Sequence, residues 1–388
     1  MDLQERISHA IAWRARRVQK WLTKKPVPAE KRNESPATAP ADPVAIRKRF
    51  VSVETEIFQP TFPVDIVYTW VDSDDPAFQD QLAAHLPPEI NRTTMSKARF
   101  ACHEELRYSL RSIERFAPWY NHIYLVTNGQ RPGWLADHPK LTVVTHDQIL
   151  APEHLPTFNS HVIGSALHKI PGLSEHYIYF NDDVMLLRPV KQIEAFTEGG
   201  LSYGFISDNR IGNAPPVPNE TATEWGAKNA RSLILRDWGV WVDRRMTHMY
   251  HPQRRSVAEE CERRFAAEYA SFRRNRFRQP DDLLCCSFLH PYVGYITGKT
   301  LLTVNRGWYV RVRDASAPQS YARLLAERSR ARGRSVVCLN DYIPPDGELE
   351  GYETHLSSFL ESYFPTASPF ERAAGPAEFY PSVLKAAE

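Results

Sequence analysis

Two acidic runs in the sequence have the composition of a divalent-cation site. Residues 72–75 (DSDD) follow the mostly apolar segment 64–71, and Asp182 and Asp183 follow the apolar segment 177–180. Carboxylate oxygens coordinate Mg²⁺ or Mn²⁺, and such an ion commonly bridges protein carboxylates to a substrate diphosphate. The alternative is that an aspartate caps the next element, which is a common structural role. Because both runs follow predicted strands, we favour the metal site.

A second group of residues that could act in catalysis or bind phosphate lies further along the sequence. His248 and His251 are three residues apart, which suits acid–base chemistry or a metal, although a histidine before a helix is more commonly a surface residue. The arginines of residues 273–278 either clamp phosphates through paired N–H groups or form a solvated face. Neutralising phosphate charge is the main requirement of phosphoryl transfer. No P-loop, dinucleotide, serine-hydrolase or zincin motif occurs, so the residues alone indicate a metal-dependent enzyme with a nucleotide or phosphate substrate.

Four short segments are expected to form the sheet that positions these side chains. They are rich in β-branched and aromatic residues and end in polar turns: residues 64–71, 122–127, 141–145 and 177–180. Helices are predicted over residues 104–116, near 160–170 and over 254–268. Strands that alternate with helices indicate an α/β fold with a mostly parallel, Rossmann-like sheet flanked by helices. Ligands bind beyond the carboxyl ends of such strands, so we expect a crevice lined by Asp72, Asp74, Asp75, Asn128, His146, Asp182 and Asp183.

The composition is that of a large globular protein with little net charge. The 388 residues include 48 Lys and Arg against 46 Asp and Glu, and 42% are hydrophobic. This balance argues against a disordered chain and against a general polyanion binder, so no nucleic-acid partner is expected. No run approaches the ~18 apolar residues of a membrane helix. Five cysteines without CxxC spacing argue against a disulfide framework, and we expect a cytoplasmic protein.

The N-terminal part differs from the rest. Residues 1–25 are basic and carry apolar residues at helical spacing, which predicts a basic amphipathic helix. Such a helix either lies on the anionic inner face of the cell membrane or packs one stripe on its own domain, and both interpretations stay open. Residues 26–61 include a stretch rich in Pro, Ala and Ser and are predicted to form a linker.

Several segments resemble the Stealth family, in the order of that family. They are DIVYTWVDSDDP (65–76), ELRYSLRSIERFAPWYNHIYLVTNGQRPGWL (105–135), LPTFNSHVIGSALHKIPGLSEHYIYFNDDVML (155–186), VVCLNDY (336–342) and FLESYFPTASPFE (359–371). The family comprises bacterial capsular and exopolysaccharide hexose-1-phosphate transferases, and it is similar to the catalytic subunit of the lysosomal-enzyme N-acetylglucosamine-1-phosphotransferase. The resemblance implies transfer of a hexose-1-phosphate from a nucleotide-diphospho-sugar to a saccharide hydroxyl, with release of a nucleoside monophosphate and a requirement for Mg²⁺ or Mn²⁺.

The resemblance and the expected crevice together imply roles for individual residues. The catalytic residues would be Asp183, His248 as general base on the acceptor hydroxyl, and Arg278 as stabiliser of the transferring phosphoryl group. Asp182 and Asp183 would be the metal ligands. The residues expected to bind substrate are Asp72, Asp75, Arg107, Asn128, Asn181, Asn340 and Asp341. The family often has Gly where this chain has Ser73, so the turn after the first strand is expected to differ in shape.

Two other functions stay open at this point. A metal-dependent glycosyltransferase would use the same acidic pair, attack the anomeric carbon and release a nucleoside diphosphate, but it leaves His248 and Arg278 without a role. A non-catalytic member would bind a glycan or a polymerase partner, and the presence of all the implied catalytic residues argues against it.

The predicted organisation follows these regions. A nucleotide-sugar-binding core covers residues 62–205, and a variable, helical insertion that shapes the acceptor groove covers residues 206–245. Residues 246–371 would complete the catalytic domain, and residues 372–388 would form a C-terminal tail.

Overall fold

The computed structural model describes residues 59–87, 103–305, 307–328, 334–344 and 347–372. The helix predicted over residues 1–25 lies outside the described residues, as do most of the linker predicted over 26–61 and all but the first residue of the tail predicted over 372–388. None of the helices in the described part of the chain has the length and apolar character needed to span a bilayer.

The described part of the chain alternates strands and helices. The strands are Val64–Thr69 (β1), Ile123–Thr127 (β2), Leu141–Thr145 (β3), His176–Asn181 (β4), Val184–Leu186 (β5), Ser202–Arg210 (β6), Arg244–Met246 (β7), His251–Arg254 (β8), Thr300–Thr303 (β9), Trp308–Arg311 (β10) and Val336–Asn340 (β11). The α-helices are Pro76–His85 (α1), Glu105–Phe116 (α2), Ser160–Gly164 (α3), Ala222–Trp238 (α4), Arg255–Arg264 (α5), Ala266–Phe272 (α6), His290–Ile296 (α7), Ala317–Glu327 (α8) and Tyr352–Tyr363 (α9).

The central sheet has the strand order β3-β2-β1-β4-β8. Strands β1 to β4 pair in parallel, and β8 pairs antiparallel with β4 at one edge. The four strands predicted from the sequence are the four parallel strands, which confirms the prediction of a mostly parallel α/β sheet. Because β1 to β4 are parallel, their carboxyl ends lie at the same end of the sheet. The chain adds strands on both sides of β1, and ligands bind where the strand order reverses in this way.

Both faces of the central strands are buried, which explains why β1, β2 and β4 are mostly apolar or aromatic. Successive residues of a strand point to opposite faces. Ile66 and Tyr68 belong to an apolar cluster that includes Leu110 of α2, whereas Val67 belongs to a second cluster that includes Phe288. Helices α8 and α9 contribute to the first cluster, and α4 to α7 contribute to the second. A sheet covered on both sides favours apolar residues on both faces of its strands, in agreement with the predicted sheet flanked by helices.

The helical predictions agree with the structure in part. The helix predicted over residues 104–116 is α2, which differs from the prediction by one residue at its start. The single helix predicted over residues 254–268 is wrong, because α5 ends at Arg264 and α6 begins at Ala266. Phe265 between them has φ −110° and ψ 37°, outside helical geometry, and its side chain is fully buried. The two helices therefore change direction where this ring enters the core.

A small sheet of order β10-β11-β5 brings the C-terminal part of the chain to β4. In its antiparallel pairing, Cys338 of β11 lies opposite Val184 of β5. The backbone N–H of Leu339 donates to the carbonyl oxygen of Asp183 at 2.8 Å. Two segments about 155 residues apart in the sequence are thereby held side by side at the carboxyl end of β4.

Candidate active site

A cavity of about 890 Å³ opens at the carboxyl ends of the parallel strands. Each of β1 to β4 contributes residues from its end or from the turn after it: Thr69, Trp70, Asn128, His146, Asn181, Asp182 and Asp183. The residues implied by the family resemblance that line the same cavity are Asn128, Asn181, Asp182, Asp183, His248, Arg278, Asn340 and Asp341. The cavity is therefore where the strand order predicts a ligand site.

Three carboxyl groups face one another in this cavity. Burial raises the pKa of Glu105 to about 7. Burial, followed by the charges of Asp183 and Glu105, also raises the pKa of Asp182 well above its usual range. The Asp183 Oδ1 atom is buried and has no hydrogen-bond partner among the described residues. Like charges in a poorly solvated site are stabilised by a cation, and oxygen-only donors fit Mg²⁺ or Mn²⁺, so this arrangement fits the predicted ion.

A chain of hydrogen bonds fixes the proton of the His248 imidazole. The Tyr179 hydroxyl donates to Asn181 Oδ1 at 2.7 Å, so its contact with Thr69 Oγ1 at 3.1 Å is one in which Thr69 donates. With Oδ1 accepting, the Asn181 amide turns its NH₂ group towards His248 Nε2 at 3.2 Å. Nε2 must then carry the lone pair and Nδ1 the proton. The unprotonated Nε2 atom of His248 therefore lies next to Asn181, the residue that precedes Asp182 and Asp183.

Arg278 reaches the cavity on a loop that is tied to the residues before α3. Its Nη2 atom donates to Ser160 Oγ at 2.6 Å. The buried Asn159 side chain donates to the backbone carbonyl of Phe277 at 3.2 Å and to Asp282 Oδ2 at 2.9 Å. Buried polar groups with several partners hold one geometry, because loss of any partner leaves a costly unsatisfied group. The sequence analysis did not single out Asn159, since an isolated Asn carries no distinguishing pattern.

Asn340 and Asp341 lie where β11 ends at the cavity. The Tyr309 hydroxyl donates to Asn340 Oδ1 at 2.8 Å. Asp341 accepts from the guanidinium of Arg313 and lies 3.1 Å from His103 Nε2. Burial alone would raise the pKa of Asp341, but these two partners outweigh it and lower the pKa below its usual range. Asp341 is therefore a carboxylate whose charge is already balanced within the protein.

Three further residues at the site were not predicted from the sequence: Glu105 and Tyr309 line the cavity, and Cys338 lies beside Asp183 and His248. Glu105 follows Glu104, whose φ of 62° is uncommon for a residue with a side chain. The Tyr309 ring is half exposed, and its centroid lies 5.7 Å from that of His248. The Cys338 sulfur is 3.2 Å from Asp183 Oδ2. Glu105 and Cys338 both lie in segments that carry the family resemblance, so a signal existed for these two, whereas Tyr309 lies outside those segments.

The acidic turn after β1 contributes no carboxylate to the described lining of the cavity. Asp75 caps α1, where its Oδ1 accepts from the backbone N–H of Ala77 at 2.8 Å. The Gln130 amide donates to Asp75 Oδ2 at 3.0 Å and is the main cause of the lowered pKa of Asp75. Asp72 Oδ1 accepts from the backbone N–H of Asp74 at 2.9 Å. The substrate-binding roles of Asp72 and Asp75 stay predictions.

Arg107 also lies away from the described cavity lining. Its Nε atom donates to Glu371 Oε2 at 2.6 Å, and Arg111, one turn further along α2, contacts the same carboxylate. The Glu371 side chain is only 2% exposed, so the pair of arginines neutralises a buried charge. The substrate-binding role of Arg107 stays a prediction.

Comparison with known proteins identifies the chain's relatives. Four models of Stealth conserved regions match: region 1 at residues 62–85, region 2 at 99–203, region 3 at 247–295 and region 4 at 328–381. Exopolysaccharide phosphotransferase SCO6023 of Streptomyces coelicolor is 40% identical over 313 residues, which are 80% of this chain and 53% of the relative. Capsular polysaccharide phosphotransferase LcbA of Neisseria meningitidis is 34% identical over 325 residues, which are 83% of this chain and 88% of the relative.

The extent of these matches differs between relatives. The chain spans only about half the length of two of the Streptomyces relatives, which are covered to 53% and 55%. Among solved structures, galactosyltransferase LgtC in complex with donor and acceptor sugar analogues overlaps 77% of this chain and 96% of its own, at 10% identity and a TM-score of 0.38. A TM-score this low supports no conclusion. The match along nearly the whole of LcbA, together with all four conserved regions, shows that the chain belongs to the Stealth family.

Proposed function

We propose that this chain transfers a hexose-1-phosphate from a nucleotide-diphospho-sugar to a saccharide hydroxyl, as an exopolysaccharide or capsular polysaccharide phosphotransferase. Membership of the Stealth family and the names of its relatives support the reaction class. The observation that carries the proposal is the cavity at the strand ends, which is lined by a histidine whose Nε2 accepts a hydrogen bond from Asn181, by the acidic pair and by an arginine. Phosphoryl transfer needs these parts: a base for the nucleophile and charge stabilisation for the phosphoryl group.

In the proposed reaction, His248 acts as general base. The acceptor hydroxyl takes the place of the Asn181 N–H at Nε2 and gives its proton to that nitrogen. The acceptor oxygen forms a bond to the β-phosphorus of the donor, and the bond between that phosphorus and the bridging oxygen breaks. The nucleoside monophosphate leaves with the bonding electrons, and the product is a phosphodiester between the sugar and the acceptor. The imidazolium returns its proton to solvent or to the leaving phosphate.

Arg278 is proposed to stabilise the transferring phosphoryl group. Its guanidinium is charged at all relevant pH values and presents several N–H donors to phosphate oxygens. The loop tied down through Asn159 supports a fixed direction of approach. Asn128, Asn181, Asn340 and Asp341 are proposed to bind the donor and the acceptor, since their side chains line the same cavity.

Asp182 and Asp183 are proposed to hold Mg²⁺ or Mn²⁺. When bound, such an ion neutralises diphosphate charge and bridges it to protein carboxylates. The unpartnered oxygen of Asp183 and the raised pKa of Asp182 support this assignment. We expect excess EDTA to abolish turnover and added Mg²⁺ or Mn²⁺ to restore it. Turnover that is indifferent to chelation would refute the ligand roles of the two aspartates.

The released nucleotide distinguishes this proposal from a glycosyltransferase. Purified chain is incubated with Mg²⁺, a panel of UDP- and GDP-sugars and a mixed oligosaccharide pool. Nucleotides are then separated by ion-exchange chromatography, with the Asp183→Asn variant as the control for contaminating hydrolases. We expect a nucleoside monophosphate whose amount depends on acceptor. An acceptor-dependent nucleoside diphosphate would move the attack to the anomeric carbon and refute the proposal.

A further inference from the structure

Asp183, His248 and Cys338 bring three different metal-binding atoms together. One ligand atom from each residue lies within 4.8 Å of the other two. The Cys338 sulfur is 3.2 Å from Asp183 Oδ2 and 3.9 Å from His248 Nδ1. Around a tetrahedral zinc ion with ordinary bond lengths, a sulfur and a neighbouring nitrogen or oxygen ligand are about 3.5 Å apart. The two observed separations lie on either side of that value.

Two of these ligands are held in place by backbone pairing. Cys338 is fully buried in β11, whose neighbours are β10 and β5. Asp183 directly precedes β5, and its carbonyl oxygen accepts from the Leu339 N–H at 2.8 Å. Little movement is needed to bring the sulfur and the carboxylate to a shared ion. A preorganised ligand set binds more tightly, because folding has already fixed its conformation.

We infer that Asp183, His248 and Cys338 form a binding site for a thiophilic divalent cation, Zn²⁺ above all. This donor set differs from the oxygen-only set that suits Mg²⁺, because thiolate and imidazole ligands favour softer ions. Three protein ligands leave a fourth position of a tetrahedral ion open towards the cavity. The site shares Asp183 with the proposed Mg²⁺ or Mn²⁺ site, so the two ions compete for that carboxylate.

Zinc binding at this site changes the state of His248. The Cys338 thiol loses its proton to solvent when sulfur binds the ion. Coordination by Nδ1 removes the imidazole proton from that nitrogen and moves it to Nε2. The lone pair at Nε2, which the proposed reaction uses to accept the proton of the acceptor, is then lost. Zinc is therefore a reversible inhibitor of turnover, a consequence that rests on the proposed function, whereas binding itself does not.

The first test measures zinc affinity without any substrate. The full-length chain is titrated with Zn²⁺ against a chelating indicator dye, in parallel with Cys338→Ser and Cys286→Ser. Cys286 is the matched control, since it is also a buried cysteine but its thiol donates to the Gly164 carbonyl oxygen. Loss of a ligand exceeds the 10–100-fold typical of outer contacts, so we expect affinity to fall at least about 100-fold in Cys338→Ser. Cys286→Ser should bind as the wild type does.

The second test identifies the ligand directly and serves if Cys338→Ser does not fold. Co²⁺ replaces Zn²⁺ in tetrahedral sites, and a thiolate ligand gives it a charge-transfer band in the near ultraviolet. We expect this band in the wild type and in Cys286→Ser and its loss in His248→Ala, which removes a different ligand of the same site. Zinc affinity that is unchanged in Cys338→Ser, or a cobalt complex of the wild type without a thiolate band, would overturn the inference.

Discussion

The acidic turn after β1 and the acidic pair after β4 occupy equivalent places in the sheet but differ in their surroundings. Both oxygens of Asp75 are used, one by the backbone N–H of Ala77 and the other by the Gln130 amide. Asp183 Oδ1 has no partner among the described residues, and the pKa of neighbouring Asp182 is raised by burial and by like charge. The carboxylate of Asp75 stabilises the turn into α1, whereas the unpartnered oxygen of Asp183 is the basis of the proposed cation site.

The same contrast separates the two predicted arginines. Arg107 is neutralised by the buried Glu371, while Arg278 lines the cavity on a loop that Asn159 ties down. A charged residue whose partners lie within the protein contributes to stability. A charged residue whose side chain lines a cavity can also contact a ligand that enters it. Position relative to the cavity, rather than residue type, therefore distinguishes the two arginines.

The largest expected effect comes from comparing substitution of Asp183 with substitution of Asp75. Asp183→Asn keeps the shape of the side chain but removes its charge, so we expect turnover to fall by on the order of 10³-fold. Asp75→Asn retains an efficient helix cap, and we expect turnover within a few-fold of the wild type. Steady-state rates of both purified variants, with circular dichroism to verify folding, provide the measurement. Equal losses in the two variants would break the comparison and indicate the substrate role predicted for Asp75.

The next effect concerns His248 and His251, two of the histidines that line the cavity. Burial, followed by the charge of His248, lowers the pKa of His251 to about 3, so His251 is neutral and a weak base at neutral pH. His248→Ala is expected to lower kcat by about 10²-fold or more, the usual contribution of a general base. The chelation-dependent metal requirement should be retained. Full turnover in His248→Ala would show that His248 is not the general base.

The third prediction concerns the stability contributed by Glu371, whose charge is neutralised by Arg107 and Arg111. Burial alone would raise the pKa of Glu371, but hydrogen bonds from Arg111, the Ser368 backbone and Arg107 lower it to about 2, against an ordinary value of 4.5. The lowered pKa stabilises the folded state above pH 4.5, and this contribution is lost as the pH falls towards 2. We expect Glu371→Gln to lower the free energy of unfolding at neutral pH by about 2 kcal/mol.

Denaturant titrations of the wild type and Glu371→Gln at several pH values provide the measurement. The difference in free energy of unfolding between the two should shrink as the pH falls below 4.5. A difference that stays constant down to acidic pH would show that the Glu371 charge does not stabilise the fold.

The smallest expected effect tests the hydrogen-bond chain behind His248. Tyr179→Phe removes the hydroxyl that donates to Asn181 Oδ1, so the Asn181 amide is free to rotate. One hydrogen bond contributes about 1 kcal/mol, and we expect kcat to fall about fivefold with the KM of the donor unchanged. The pH profile of kcat should also change, since the amide no longer favours a single tautomer. A raised donor KM with unchanged kcat would indicate that Tyr179 binds the donor instead.

The sequence predicted the sheet better than the helices. Strands β1 to β4 are mostly apolar or aromatic and end in polar turns, a pattern that depends on local residues and on burial of the sheet. The break at Phe265 was missed, because residues on either side continue a helical pattern and only the packing of the ring against the core ends α5.

The site residues that could be predicted from the sequence are those that follow predicted strands or match motifs of the family. Glu105 was missed, since nothing in a helical first turn indicates that its carboxyl group faces Asp182 and Asp183. Cys338 was quoted within VVCLNDY but not assigned, because its contact with Asp183 depends on the pairing of β11 with β5. Contacts between distant segments decide which polar residues find hydrogen-bond or ion-pair partners within the protein. These contacts cannot be read from the local sequence.

The most direct test of the account follows the β-phosphorus of the donor. A nucleotide-diphospho-sugar that the chain turns over is incubated with Mg²⁺ and acceptor, and the mixture is analysed by ³¹P NMR. The account predicts a new phosphodiester signal that co-purifies with the saccharide, together with the signal of a nucleoside monophosphate. Saccharide product without phosphorus, accompanied by the paired signals of a nucleoside diphosphate, would contradict attack on phosphorus and with it the assigned role of the cavity.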